Sequence, residues 1–202
     1  MSEVILIDAG TGNLRSVANA LLRLNVSLRV TQSPADWKGQ RAVLPGVGAF
    51  SAFMEGLRQN GWIEVLNEHV QRRYPLLGIC VGMQALFQWS EEGGQVAGLG
   101  LLPGQVKRFP SLEGLKIPHT GWNQLRFCRP SGLFQNLTEG EYVYFNHSYY
   151  CVPEREEDCI ARTDYGLTFC SAVQRDALWG VQFHPEKSQT VGKQILENFL
   201  SL

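Results

Sequence analysis

Charge is scarce in this sequence, and almost none of it is in excess. Lys and Arg number 18 and Asp and Glu 19, a formal net charge of −1, and 18% of the 202 positions are charged, against roughly 25% in an average soluble domain. Such a balance offers nothing to a phosphate backbone, so no nucleic-acid partner is expected. Long apolar runs are missing too, since no stretch approaches the roughly 20 residues that span a bilayer. The amino end, Met1-Ser2-Glu3-Val4-Ile5-Leu6-Ile7-Asp8, carries acids where a signal peptide carries bases. A cytoplasmic protein without membrane contact is expected. Cysteine pairing is also absent: Cys80, Cys128, Cys151, Cys159 and Cys170 form an odd set without a C-x-x-C pair, which excludes a disulfide framework and a zinc knuckle. His69, His119, His147 and His184 lack metal-ligand spacing, and no acidic cluster supplies oxygen ligands, so neither metal nor cofactor is expected. With no repeat or polar linker, residues 1–202 read as one domain.

What is present is an alternation of strand and helix. The apolar run 4–7 ends at Asp8-Ala9-Gly10-Thr11-Gly12, and 13–24 is apolar at helical spacing with Asn13 as a cap. Strands are predicted at 27–30, 41–44 and 75–79, and helices at 49–71, interrupted near Asn60-Gly61, and at 83–89. Beyond Glu91-Glu92-Gly93-Gly94 the helical periodicity stops. Segments 106–109, 123–127, 142–150, 160–163, 168–173 and 179–183 are rich in β-branched and aromatic residues, and a last helix is predicted at 190–200. The expected fold is three-layer α/β/α, with a mostly parallel central sheet and an antiparallel β appendage. Gly10-Thr11-Gly12 begins like a dinucleotide fingerprint, but Arg15 stands where the third glycine belongs. Tyr142, Tyr144, Phe145, Tyr149 and Tyr150 lack an accompanying basic groove and read as strand core.

The chemistry concentrates at Gly78-Ile79-Cys80-Val81-Gly82, a nucleophile-elbow pattern with sulfur in place of a hydroxyl. A strand-to-helix turn this sharp needs small residues two positions before and after the nucleophile, and the helix amino end favours thiolate. The other four cysteines read as core. His184 can serve as base: the following proline keeps it extended, and Glu186 then lies on the same face to orient the imidazole. Oxyanion donors would be the Val81 amide and the amide of Val47 or Gly48, in Pro45-Gly46-Val47-Gly48 after a strand. These residues suit acyl transfer, and also a sensor or binding module in which Cys80 is oxidised. An α/β-hydrolase of the dienelactone type places its acid before the histidine, whereas Glu186 follows it.

Gly78-Ile79-Cys80-Val81-Gly82-Met83-Gln84 with His184-Pro185-Glu186 resembles the class I, or triad, glutamine amidotransferases. Leu44-Pro45-Gly46-Val47-Gly48-Ala49-Phe50, Pro118-His119-Thr120-Gly121-Trp122-Asn123, Tyr144-Phe145-Asn146-His147-Ser148-Tyr149 and Phe183-His184-Pro185-Glu186-Lys187-Ser188 narrow the resemblance to the glutaminase subunits of imidazole glycerol phosphate synthases. Val81 and Ala85 stand where leucine is common in that family. The resemblance implies that Cys80 attacks L-glutamine to form a γ-glutamyl thioester, with His184 as acid and base and Glu186 holding it. It implies an oxyanion hole from the Val47 and Val81 amides, with Gly46 and Gly48 allowing a peptide flip, and a glutamine site including Gly46, Gln84, Ser148 and Tyr149. It implies a heterodimer in which Gly10, Asn13, His119, Trp122, Tyr144 and Lys187 face a (β/α)8-barrel cyclase subunit. That subunit would receive ammonia and release imidazole glycerol phosphate and aminoimidazole carboxamide ribonucleotide. A glutaminase subunit of an anthranilate or pyridoxal phosphate synthase shares the triad logic and stays an alternative.

Overall fold

The computed structural model describes residues 3–10 and 14–202. The first half comprises β1 (Glu3–Ile7), α1 (Arg15–Leu22), β2 (Ser27–Thr31), β3 (Arg41–Gly46), α2 (Phe50–Gln59), α3 (Trp62–Gln71), β4 (Leu76–Cys80) and α4 (Val81–Ala85). The second half comprises β5 (Phe87–Ser90), β6 (Val96–Ala97), β7 (Leu102–Arg108), β8 (His119–Gln124), β9 (Arg126–Phe127), β10 (Tyr142–His147), β11 (Tyr149–Pro153), β12 (Cys159–Tyr165), β13 (Leu167–Arg175), β14 (Leu178–Val181) and α5 (Gln189–Ser201). Asn13, the expected cap of the first helix, lies outside the described residues.

A strand covered on both faces reads as an unbroken apolar run, and β1, β3, β4 and β14 are buried along nearly their whole length. They pair in parallel in the order β2-β1-β3-β4-β14. The chain steps to one side of β1 to reach β2 and to the other side to reach β4, so right-handed crossovers put α1 on one face and α2 and α3 on the other. α2 buries Phe50, Phe53, Met54 and Leu57. Gly61 at φ +73° makes the predicted break between α2 and α3. His69 belongs to the core: it stacks on Trp37 with ring centroids 4.2 Å apart, and its nitrogens meet the carbonyls of Val65 and Trp37 at 2.9 and 3.1 Å.

The strands of the second half do two things. Continuing from β14, the same sheet runs through β13, β11, β7, β5 and β6, while β8 and β10 form a separate two-stranded ribbon. The predicted strand 142–150 is therefore two strands broken at Ser148, one in each sheet. The predicted helix 83–89 is also wrong in its second half: α4 stops at Ala85 and Phe87–Ser90 is a strand. Phe87 and Ser90 are buried, and Gln88 O accepts from the Gly98 amide at 2.8 Å, so strand pairing overrides helical propensity there. Tyr142 is 52% exposed rather than core.

Candidate active site

β4 ends in the candidate nucleophile. Cys80 holds φ 55° and ψ −110°, strained for an L side chain, and α4 begins at the next residue. The turn is possible because its flanks carry no side chains. A Cβ on Gly82 would sit 1.8 Å from the Leu44 carbonyl oxygen, and one on Gly78 would sit 2.7 Å from that of Gly82. The strand edge thus presses directly on α4, and the Cys80 side chain opens into a cleft of about 470 Å³.

β14 runs parallel beside β4 and brings His184 to the same cleft. The sequence predicts that His184 and Glu186 share one face of an extended segment. The contact forms instead across a 3-10 turn at Pro185–Lys187, where His184 Nδ1–H donates to Glu186 Oε1 over 2.8 Å. Both side chains are only 4% exposed. Burial alone disfavours the imidazolium, but hydrogen bonds with Cys80 and Glu186 and the charges of those two groups outweigh it and push His184 up to about 10.

A second histidine lines the same cleft in the opposite charge state. Burial drives His147 down to about 3: a hydrogen bond to the Tyr149 carbonyl opposes the shift, and the charges of His119 and His184 reinforce it. Burial likewise pushes His119 down to about 4. The partners fix both tautomers. The Tyr149 carbonyl can only accept, so His147 Nδ1 carries the hydrogen over 2.7 Å. His147 Nε2 then accepts from His119 Nδ1–H at 3.0 Å, and His119 Nε2 accepts from Asn123 Nδ2–H at 3.2 Å.

The cleft gathers most of the residues expected at the site. Val47, Gly48, Val81, Gln84, Ser148, Tyr149 and Lys187 line it with Cys80 and His184. Gln84 Nε2 donates to the Tyr149 carbonyl at 3.2 Å. Gly46, expected to touch substrate, is buried and packs closely against α4, where a Cβ would meet the Gly82 nitrogen at 2.6 Å. Glu92 is a lining residue that sequence reasoning missed. Burial raises its carboxyl above the ordinary range, against a hydrogen bond from the Phe50 amide, donated over 3.1 Å. The sequence marked Glu91-Glu92-Gly93-Gly94 only as a break, and no local pattern links it to a helix start 42 residues away.

A family model described as glutamine amidotransferase class-I matches residues 5–202. The chain belongs to the class-I glutamine amidotransferases. This amidotransferase is 52% identical over 200 residues to an imidazole glycerol phosphate synthase subunit HisH from Moorella thermoacetica, covering 98% of this chain and 94% of the relative. It is 50% identical to a protein of the same description from Syntrophotalea carbinolica, covering 97% of this chain and 98% of that one. Among solved structures, one described as a glutamine amidotransferase superposes with a TM-score of 0.76 at 20% identity, over 98% of this chain and 97% of that one. PurLQS from Thermotoga maritima superposes with a TM-score of 0.73 at 18% identity, over 100% of this chain and 99% of its own. Both likenesses speak to the amidotransferase fold alone.

The expected partner-facing residues of the amidotransferase separate into groups. Trp122, 46% exposed, packs edge-on against Tyr144 with centroids 6.1 Å apart, and Lys187 Nζ lies 5.6 Å over the Tyr144 ring. These three form one patch beside His184, whose ring is 6.5 Å from that of Tyr144. Gly10 is exposed at φ +76°, and Asn13 lies outside the described residues. His119 is a correction: it is 3% exposed and stacks on Tyr165 at 3.9 Å and Phe145 at 4.7 Å. The register of β8 against β10 sets it opposite His147 and turns it inward. All five cysteines are free thiols; Cys151, Cys159 and Cys170 are buried as predicted, while Cys128 is exposed rather than core.

Proposed function

We propose that this chain is the glutamine-hydrolysing subunit of an imidazole glycerol phosphate synthase, a single domain that makes ammonia from L-glutamine and passes it to a cyclase subunit. The observation that carries this reading is the convergence of Cys80 and His184 at one cleft, with Glu186 bonded to His184 behind it, beside the Trp122, Tyr144 and Lys187 patch. The Cys80 thiolate attacks the side-chain amide carbon of glutamine, forming the C–S bond. His184, held as imidazolium by Glu186, gives its proton to the departing nitrogen as the C–N bond breaks and ammonia leaves. The neutral imidazole then takes a proton from water as it attacks the thioester, and glutamate is released. The Val81 and Val47 amides serve the oxyanion. Gln84 and the backbone of Ser148 and Tyr149 hold the amino-acid end, and the Glu92 carboxylate pairs with the substrate ammonium.

Ammonia released into water is protonated and lost, so its use requires a receiver over the cleft mouth. A surface aromatic pair such as Trp122 and Tyr144 has the make-up of an interface core, with the Lys187 ammonium suited to its polar rim. The receiver is a (β/α)8-barrel cyclase in a heterodimer. Five unpaired thiols suit the reducing cytoplasm. The experiment is glutamate release from the chain with and without the cyclase and its acceptor. A rise of orders of magnitude supports the reading, and equal rates contradict it.

A further inference from the structure

Beneath the cleft, a chain of side-chain amides reaches the sulfur of Cys80. Gln182 is fully buried, at 0% exposure, one residue beyond β14, and its backbone amide is fixed to the Ser171 carbonyl at 2.9 Å. Its side chain is 3.7 Å from Cys80 Sγ through Nε2 and 3.1 Å from Gln84 Nε2 through Oε1. An amide can point either way round, and the network decides which. The Tyr149 carbonyl can only accept, so Gln84 must present its NH₂ there, at 3.2 Å. The same NH₂ then faces Gln182, which must offer its oxygen to Gln84 and its own NH₂ to the sulfur. One backbone carbonyl, itself fixed by His147 Nδ1–H at 2.7 Å, thereby orients two side chains and aims an N–H at Cys80.

We propose that Gln182 is a catalytic residue whose side-chain amide donates to Cys80 Sγ whenever that sulfur carries negative charge. This deepens, and rests on, the reading of Cys80 as nucleophile. The sulfur is negative twice in the cycle: before it attacks the amide carbon, and again when water has added to the thioester and the C–S bond breaks with its electron pair returning to sulfur. At both points His184 lies on the cleft side and Gln182 in the buried interior, so the anion is met from two directions. A preorganised donor in a dry site requires no reorganisation at the moment of reaction, and a better-stabilised thiolate is a better leaving group.

The test uses the chain with its cyclase and two variants. Gln182→Glu keeps an oxygen for Gln84 but removes the donor to sulfur, and Gln182→Met removes both at similar volume. Iodoacetamide modification of Cys80 is followed by peptide mass spectrometry across pH, alongside kcat and KM for glutamine. In both variants modification at neutral pH is expected to slow about tenfold, as for loss of one charge-assisted hydrogen bond. The pH of half-maximal modification moves upward, and kcat falls at least as far with KM little changed. A raised KM with an unchanged modification profile would show that Gln182 merely props Gln84 and would overturn the proposal. Absence of Cys80 modification and of glutamine turnover in the unmodified chain would instead overturn the nucleophile assignment itself. Either variant alone decides the question should the other fail to fold.

Discussion

His184 and His147 are both buried, at 3% and 6% exposure, and line one cleft, yet one is held charged and the other neutral. Desolvation acts on both in the same direction. What separates them is the company each keeps: a carboxylate and a sulfur around His184, a carbonyl and another imidazole around His147. The turn at 185–187 builds a proton donor, while the ribbon of β8 and β10 builds a positioning element whose hydrogens point in one direction only. Burial therefore does not decide function here; the donor and acceptor character of the neighbours does.

The severest way to break the contrast is to remove the group His184 serves. Cys80→Ser is expected to abolish glutamine-dependent synthesis by about 10⁴-fold or more while leaving synthesis from added ammonium intact in the complex, measured as product formation with either nitrogen source. Loss of both would point to a structural role for Cys80. Next in size, Glu186→Gln leaves the imidazole in place but removes its anion. By analogy with loss of a triad carboxylate, kcat falls about 10³- to 10⁴-fold, and a fall below tenfold would mean that Glu186 does not orient His184.

On the other side of the comparison, His147→Leu leaves His119 Nδ1–H without its acceptor and the Tyr149 carbonyl with Gln84 Nε2 as its remaining donor. Stability should fall by about 2–3 kcal/mol, with KM for glutamine rising more than kcat falls, checked by denaturant titration and steady-state kinetics. A further consequence is a pair of opposite slopes in stability against pH. His184, raised from 6.5 to about 10, contributes stability fully present below pH 6.5 and lost as pH rises toward 10. His147, lowered from 6.5 to about 3, contributes stability present above 6.5 and lost as pH falls from there. Unfolding midpoints of His184→Asn and His147→Asn against the parent chain isolate the two slopes, and parallel curves for all three would remove the contrast.

Much of the triad side was legible in the sequence, and much of the ribbon side was not. Glycines two residues before and after Cys80 announce a turn because no other residue fits there, and His184 and Glu186 are close enough in the chain for local geometry to join them. The parallel strands 4–7, 41–44 and 75–79 show as buried runs for the same local reason. His119, by contrast, owes its inward aim to a pairing register with His147 across 28 residues, which no local pattern encodes. Glu92 and Gln182 depend on Phe50 and Cys80, 42 and 102 residues away. The strand at Phe87–Ser90 hid because a short apolar segment reads equally well as helix or strand until its pairing partners are known.

The most direct test of the contrast is a pH titration of the histidine ring nitrogens by NMR, with His184→Asn and His147→Asn used to assign the signals. His184 is expected to remain imidazolium through neutrality and to lose its proton only near pH 10, while His147 stays neutral, with hydrogen on Nδ1, down to about pH 3. Both rings titrating together near 6.5 would contradict it.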